Sequence, residues 1–328
     1  MNLELWGIKN SNMKIIVTGS LGHIGRPLTQ KLVQGGHHVT VVSSNADRIK
    51  DIELLGARAA VGSLEDVPFL SGTIAGADAV YTMLPPQPFA EPDASMYGRR
   101  LGDHYATAIR EAGIRRVVHL SSWGADLDRD TGFILCAHAA EKELDKLVDV
   151  GIVFLRPCSF FYNLLGFIPM IKATGLITCN YGEADRLVLV APEDIADAAA
   201  EELVNADGAG QDGAGPDTAF TDTARPDQNR RRIRYVASEE TTCNEVAHVL
   251  GEHIGKPDLL WKRVTDEQMR TNLLNNGLPE HVAANIVDLG SASRRGLLRQ
   301  GYDLHKPVLG KTKLKDFAQT FALQFNQQ

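Results

Sequence analysis

Along the first half of the chain, apolar residues switch between two periods. Short β-branched or apolar runs at 15–18, 38–42, 57–61, 79–82, 115–120 and 151–157 predict strands. Between the first two, Ile24, Leu28, Leu32 and Val33 fall at helical spacing, which predicts a helix over 23–34 that stops at Gly35-Gly36. Similar stretches predict helices over 46–55, 66–75, 94–112 and 135–148. Strands that alternate with helices bury both faces of a parallel sheet through right-handed crossovers. The expected fold is therefore α/β, a doubly wound parallel sheet of the Rossmann kind, with a smaller C-terminal α/β portion.

Beyond residue 157 the pattern loosens. The stretch 191–204 predicts a helix, entered at Pro192 with Glu193 and Asp194 at its positive end. A strand over 233–238 and a helix over 241–255, capped by Thr241 or Thr242, follow. Between them, 206–230 is rich in Gly, Ala, Asp and Thr without apolar period, which predicts a flexible insertion. The expected division is a dinucleotide-binding domain over 13–157 and a mainly substrate-binding portion over 158–328.

The most informative stretch is TGSLGHIG, between the first strand and the first helix. Gly19 permits a tight turn, Gly22 lets a phosphate approach the backbone, and Gly25 lets the helix pack against the strand. A pyrophosphate would sit on the helix N-terminus, where N–H groups and the dipole favour an anion. The second strand ends VVSSNADR. Ser43 and Ser44 stand where NAD-binding chains carry an acid for the ribose hydroxyls, and Arg48 follows, so NADP(H) is favoured over NAD(H).

Composition narrows the field. The net charge of −7 gives no basic balance for nucleic acid, and Arg230-Arg231-Arg232 is expected to be a solvated run. No apolar stretch reaches membrane-spanning length, and the first twelve residues do not resemble a signal peptide. Cys136, Cys158, Cys179 and Cys243 form no CxxC pair, which favours a reduced, cytoplasmic setting. His248 and His253 are five residues apart, so no metal site is expected.

These motifs resemble the extended or atypical short-chain dehydrogenase/reductase superfamily. The resemblance runs through GSLEDVPFLSGTIAGADAVYTM, AIREAGIRRVVHLSSWGA, GIVFLRPCSFFYN, VAPEDIADAAAEEL and TTCNEVAHVLGEHIGKP, and covers most of residues 13–256. Within it, the chain looks most like the NmrA-like proteins, which include NAD(P)H-dependent quinone oxidoreductases and nucleotide-sensing regulators. Ser20, Leu21, His23 and Ile24 of the turn, Ser63 after the third strand, and Thr82, Met83 and Leu84 of the fourth complete the cofactor contacts this implies.

The resemblance implies a serine at Ser122. The family's Tyr-x-x-x-Lys has no tyrosine here, because 131–147 contains none. His138-x-x-x-Lys142 occupies the region, and His138, Phe133 or Leu135 takes the tyrosine's place according to register. Pro85, Cys158, Phe160, Phe161 and Tyr162 would line a pocket for a small apolar or aromatic substrate. The expected activity is hydride transfer from NAD(P)H to a quinone or similar conjugated carbonyl. The alternatives are a non-catalytic NAD(P)-sensing regulator acting through a protein partner, and an epimerase or dehydratase, which the missing tyrosine disfavours. A homo-oligomer is compatible with each.

Overall fold

The computed structural model describes residues 12–86, 91–205 and 231–327. The insertion expected at 206–230 and the first eleven residues lie outside the described residues. The chain opens with β1 (Lys14–Val17), α1 (Gly25–Gln34), β2 (His38–Ser43), a short 3-10 turn (Ala46–Arg48), α2 (Ile49–Leu54) and β3 (Arg58–Val61). It continues with α3 (Val67–Ile74), β4 (Ala79–Met83), α4 (Ala94–Ala112), β5 (Arg116–Leu120), α5 (Ile134–Leu144) and β6 (Gly151–Pro157).

Then come β7 (Ser159–Phe160), a 3-10 segment (Phe161–Phe167), α6 (Ile168–Thr174), β8 (Leu176–Cys179), β9 (Arg186–Val190) and α7 (Pro192–Val204). From residue 231 onward lie β10 (Arg231–Val236), β11 (Glu239–Thr242), α8 (Cys243–His253), β12 (Leu260–Arg263), α9 (Asp266–Asn275), α10 (Glu280–Arg294), α11 (Arg299–Leu304) and α12 (Leu314–Gln327).

Seven strands form one parallel sheet in the order β10-β6-β5-β4-β1-β2-β3. Alternation sorts its side chains to two faces. Ile15, Val17, Tyr81, Val118 and Leu155 pack under α1, α2 and α7. Ile16, Val80, Val117, Ile152 and Phe154 pack under α3, α4 and α5. Strand order reverses between β1 and β4, so the crevice at their carboxyl ends is where a doubly wound sheet takes a ligand.

A three-stranded sheet (β11-β9-β7), a two-stranded sheet (β12-β8) and helices α6, α8 and α12 enclose a second core around Trp261 and Phe321. The layers cross position 157: β10 pairs with β6, and α7 packs on α1. The buried carboxylate of Asp194, in the first turn of α7, accepts from Ser238 Oγ at 2.5 Å and from the backbone N–H of Lys311 and Thr312, and so ties the segment before α12 to the main sheet.

Two members of the arginine run are not solvated as expected; Arg230 lies outside the described residues. Arg231 donates to Leu147 O at 2.5 Å, Val150 O at 2.6 Å and Asp145, while Arg232 pairs with Glu202. Arg231 also reaches the carbonyls of Leu144 and Asp145, which satisfies backbone acceptors there, and α5 ends at Leu144 rather than Val148.

Candidate active site

The glycine turn leaves β1 over a braced floor. Thr18 N–H donates to Tyr81 O at 3.0 Å, and Tyr105 Oη, from α4, reaches Thr18 Oγ1 at 3.2 Å and donates to Met83 O at 2.8 Å. Gly19 has φ +90°, and a Cβ there would lie 2.7 Å from Met83 Sδ. Ser20 takes φ 59°, donates its N–H to Val42 O and its hydroxyl to Ser43 Oγ, so the turn is pinned to β2. A Cβ on Gly25 would meet Ser20 O at 2.2 Å, which is the close helix–strand approach the motif requires.

Gly22 is exposed, and a Cβ there would meet only Gly19 O, at 3.6 Å. The N-cap of α1, Ile24, makes no side-chain cap, and the first turn holds no acid, so nothing in the turn competes with an anion. Leu21 and Ile24 bury their side chains in the core and can meet a ligand only through their backbone.

At the end of β2, Ser43 is buried and its hydroxyl is engaged by Ser20 and the backbone of Asn45. Ser44 is exposed, and Asn45 caps the following turn through Asp47 N–H. Arg48 pairs with Asp51 at 3.3 Å, and Arg26 approaches the same carboxylate at 3.8 Å. Arg26 went unread in the sequence, although its place directly after the third glycine is the signal that would find it. Ser63 is exposed, and its hydroxyl accepts from Glu65 N–H.

Thr82 is fully buried on the α4 side of the sheet, with its hydroxyl 2.9 Å from His119 Nδ1. A cofactor contact from its side chain would require opening that pair. Burial pushes the His119 imidazole down to about 3. Met83 and Leu84 are half-buried, as is Pro85, whose carbonyl accepts from Tyr97. Residues 87–90, part of the segment expected to wall the pocket, lie outside the described residues.

Two adjacent serines end β5, and they part company. Ser121 is buried and donates to Glu141 Oε1 at 2.5 Å. Arg156 clamps the same carboxylate through Nε at 3.0 Å and Nη2 at 2.6 Å, and its Nη1 donates to Asp126 and Tyr235 Oη, each at 3.2 Å. Burial works against the guanidinium charge, and the hydrogen bond and charge of Glu141 outweigh it, so Arg156 is held protonated. Ser122 is half-buried and lies outside this lock.

His138 is half-buried, and its Nδ1 lies 2.8 Å from Ala125 O, in the turn that Ser122 opens. That nitrogen must donate, so a neutral ring offers Nε2 only as an acceptor, and only the imidazolium can give up a proton there. Lys142 is exposed. Helices α10 and α11 roof this region: Trp123, Ile134 and Ala137 pack with Ala292, Leu298 and Tyr302.

The aromatic wall divides. Cys158 and Phe161 are core residues, 3% and 1% exposed, so neither lines an open pocket, and burial holds the Cys158 thiol well above its ordinary range. Phe160 and Tyr162 are half-buried and stack at 4.9 Å, and Tyr162 stacks in turn with His23 of the glycine turn at 4.5 Å.

Residues 19–146 match a protein-family model described as NAD(P)H-binding. The chain therefore carries an NAD(P)H-binding segment over these residues. A curated reductase of (4-alkanoyl-5-oxo-2,5-dihydrofuran-3-yl)methyl phosphate from Streptomyces griseus is 28% identical over 60% of this chain, and the match spans 65% of that protein's length. An NAD(P)H azoreductase from Xenophilus azovorans is 21% identical over 95% of this chain and 99% of its own. Among solved structures, an NADPH-dependent quinone oxidoreductase from Escherichia coli, complexed with NADPH, shares the fold at TM-score 0.72, with 16% identity over 93% of this chain and 99% of that one. The dinucleotide fits what the turn offers: an open Gly22, an uncapped helix N-terminus and two arginines held together by one carboxylate. No helix among the described residues is long and apolar enough to cross a membrane.

Proposed function

We propose that the chain reduces a quinone or similar flat conjugated carbonyl with NADPH. The observation that carries the reading is the exchange of tyrosine for histidine on α5, opposite the end of β5. Where an alcohol dehydrogenase places serine, tyrosine and lysine, this chain places half-buried Ser122, half-buried His138 and Lys142 turned to solvent. A bound nicotinamide supplies hydride, and reduction of a quinone to its hydroquinone takes one further proton. A quinone needs a weaker protein acid than a ketone does, so positioning dominates. Ser122 donates a hydrogen bond to the oxygen that gains charge. His138 steadies the Ala125 turn and, when protonated, supplies the proton; otherwise solvent does. The cofactor lies on residues of 13–157, and 158–328 supplies most of the substrate side.

NADPH is favoured because Asp51 gathers Arg26 and Arg48 beside the acid-free end of β2. The test is NADPH oxidation by purified protein against a panel of quinones and aldehydes, with NADPH binding followed by calorimetry. Turnover is expected with quinones. His138→Ala and Ser122→Ala should lower it modestly with quinones and more with simple carbonyls, while NADPH affinity stays within a few-fold. Tight NADPH binding without turnover of any acceptor refutes the enzyme and leaves the nucleotide-sensing regulator.

A further inference from the structure

We propose that the imidazole of His23 holds the seat of the substrate ring: it covers the face of Tyr162 on which a flat, electron-poor acceptor stacks, and the acceptor displaces it. The proposal rests on the reading of the chain as a quinone-type reductase. Tyr162 is a half-buried ring with two near-parallel partners, Phe160 at 4.9 Å and 24° and His23 at 4.5 Å and 22°. Two such rings cannot share one face of a six-membered ring, so Tyr162 is sandwiched.

The two partners are unequal. Phe160 belongs to β7, paired with Val190 of β9, and packs on the main core. His23 is exposed, and its ring makes no hydrogen bond or ion pair with a described residue. Its backbone is committed to the glycine turn, but its side chain is free to swing. Of the two faces of Tyr162, the His23 face is therefore the exchangeable one. It lies between the turn that takes the dinucleotide and the wall after β6, where a hydride acceptor has to lie.

The chemistry of the seat selects its occupant. The phenol is an electron-rich surface, and burial raises the Tyr162 hydroxyl to about 12, so the ring stays neutral across the working range. An electron-poor planar ring stacks on it better than imidazole does, whereas a flexible aliphatic carbonyl gains nothing from the face. His23 is thus a competitor with a fixed local concentration, which discriminates for flat acceptors and keeps the slot covered when it is empty.

The test uses the full chain, with 1,4-naphthoquinone as the flat acceptor and an aliphatic aldehyde as the control. An aromatic pair is worth about 2- to 10-fold in affinity. His23→Ala should therefore lower the KM for naphthoquinone by about that factor, and His23→Phe, a stronger stacker, should raise it. Tyr162→Leu should raise KM, and adding His23→Ala to it should change KM no further. The aldehyde KM should move with none of these, and NADPH affinity is measured alongside by calorimetry, so that a lost cofactor is not mistaken for a lost seat. Independently of turnover, the His23 ring protons, assigned by their absence in His23→Ala, should lie upfield in the free protein. They should move downfield when naphthoquinone is added with the oxidised dinucleotide. Quinone that binds or is reduced without moving those protons, or a His23→Ala protein with raised KM, overturns the seat and leaves the reductase standing. A protein that neither binds nor reduces a quinone overturns the function proposed above, and the seat with it.

Discussion

Glu141→Ala is the perturbation whose size the structure sets most directly. Glu141 and Arg156 are both largely buried, with side chains 10% and 5% exposed, and the carboxylate accepts from Ser121 as well as from two guanidinium nitrogens. Removing it strands a buried cation. Asp126 still meets Nη1, but its side chain is 36% exposed and touches one nitrogen only, so solvent screens most of what it returns. Breaking such a pair costs about 3–5 kcal/mol, against a total stability of about 5–15 kcal/mol for a folded chain. For a chain of 328 residues the midpoint of thermal unfolding should fall by roughly 4–7 °C. Removing both charges is different: Glu141→Leu with Arg156→Met leaves no stranded ion and should recover much of the loss. Ser121→Ala should cost about 1.5–3 kcal/mol, the share of one hydrogen bond to a charged group. Urea unfolding followed by circular dichroism, alongside thermal scans, measures all three. The reasoning is refuted if Glu141→Ala stays within about 1 kcal/mol of the parent, or if the double variant is as unstable as the single one.

Gly22→Asp should abolish NADPH binding in a folded protein, because side chain and charge enter the pyrophosphate space; unchanged affinity by calorimetry would remove the nucleotide from this turn. Arg26→Ala and Arg48→Ala should each weaken NADPH more than NADH, by about 1–2 kcal/mol, and equal effects on both nucleotides would take that arginine out of the site. His119 predicts a pH effect. Its folded value is depressed to about 3 from 6.5, so its contribution is complete above about pH 6.5 and is lost as pH falls toward 3, at up to about 1.4 kcal/mol per unit. His119→Gln should therefore flatten the acid limb of the stability profile, and an unchanged slope between about pH 6 and 4 would show that the ring is solvated in the folded chain.

Much of the main sheet is legible because its signals are local. The long helix α4 occupies the residues its apolar period predicts, with Asp93 capping one end and left-handed Gly113 closing the other. Thr242 and Glu245 form the reciprocal cap that starts α8. The glycine turn is legible for the same reason: three glycines carry a backbone shape with them. What hides is long-range. Whether Ser121 or Ser122 meets Glu141 depends on which way a strand end alternates, and the partner is twenty residues on. The arginines of β10 look like a solvated run until their acceptors, more than eighty residues earlier for Arg231, fold against them. Cys158 and Phe161 have the composition of a pocket wall, and only the helical roof and the second core show that they are sealed.

The late arrival of β10 also bears on how the chain is made. During synthesis, residues up to 157 emerge with six strands in place, but β6 then has a bare flank that is covered only when residues 231–236 appear. The surface of α1 that receives α7 waits as well. A ribosome adding about 5–20 residues per second leaves that flank open for several seconds. An unpaired parallel strand rich in Ile, Val, Phe and Leu is a template for another nascent chain. Cutting the gene after residue 157 would make that interval permanent, and the fragment is expected to aggregate. Fusing residues 231–236 back beside β6 would be the first repair to try, through a crossover linker of at least about a dozen residues, because the two strands are parallel.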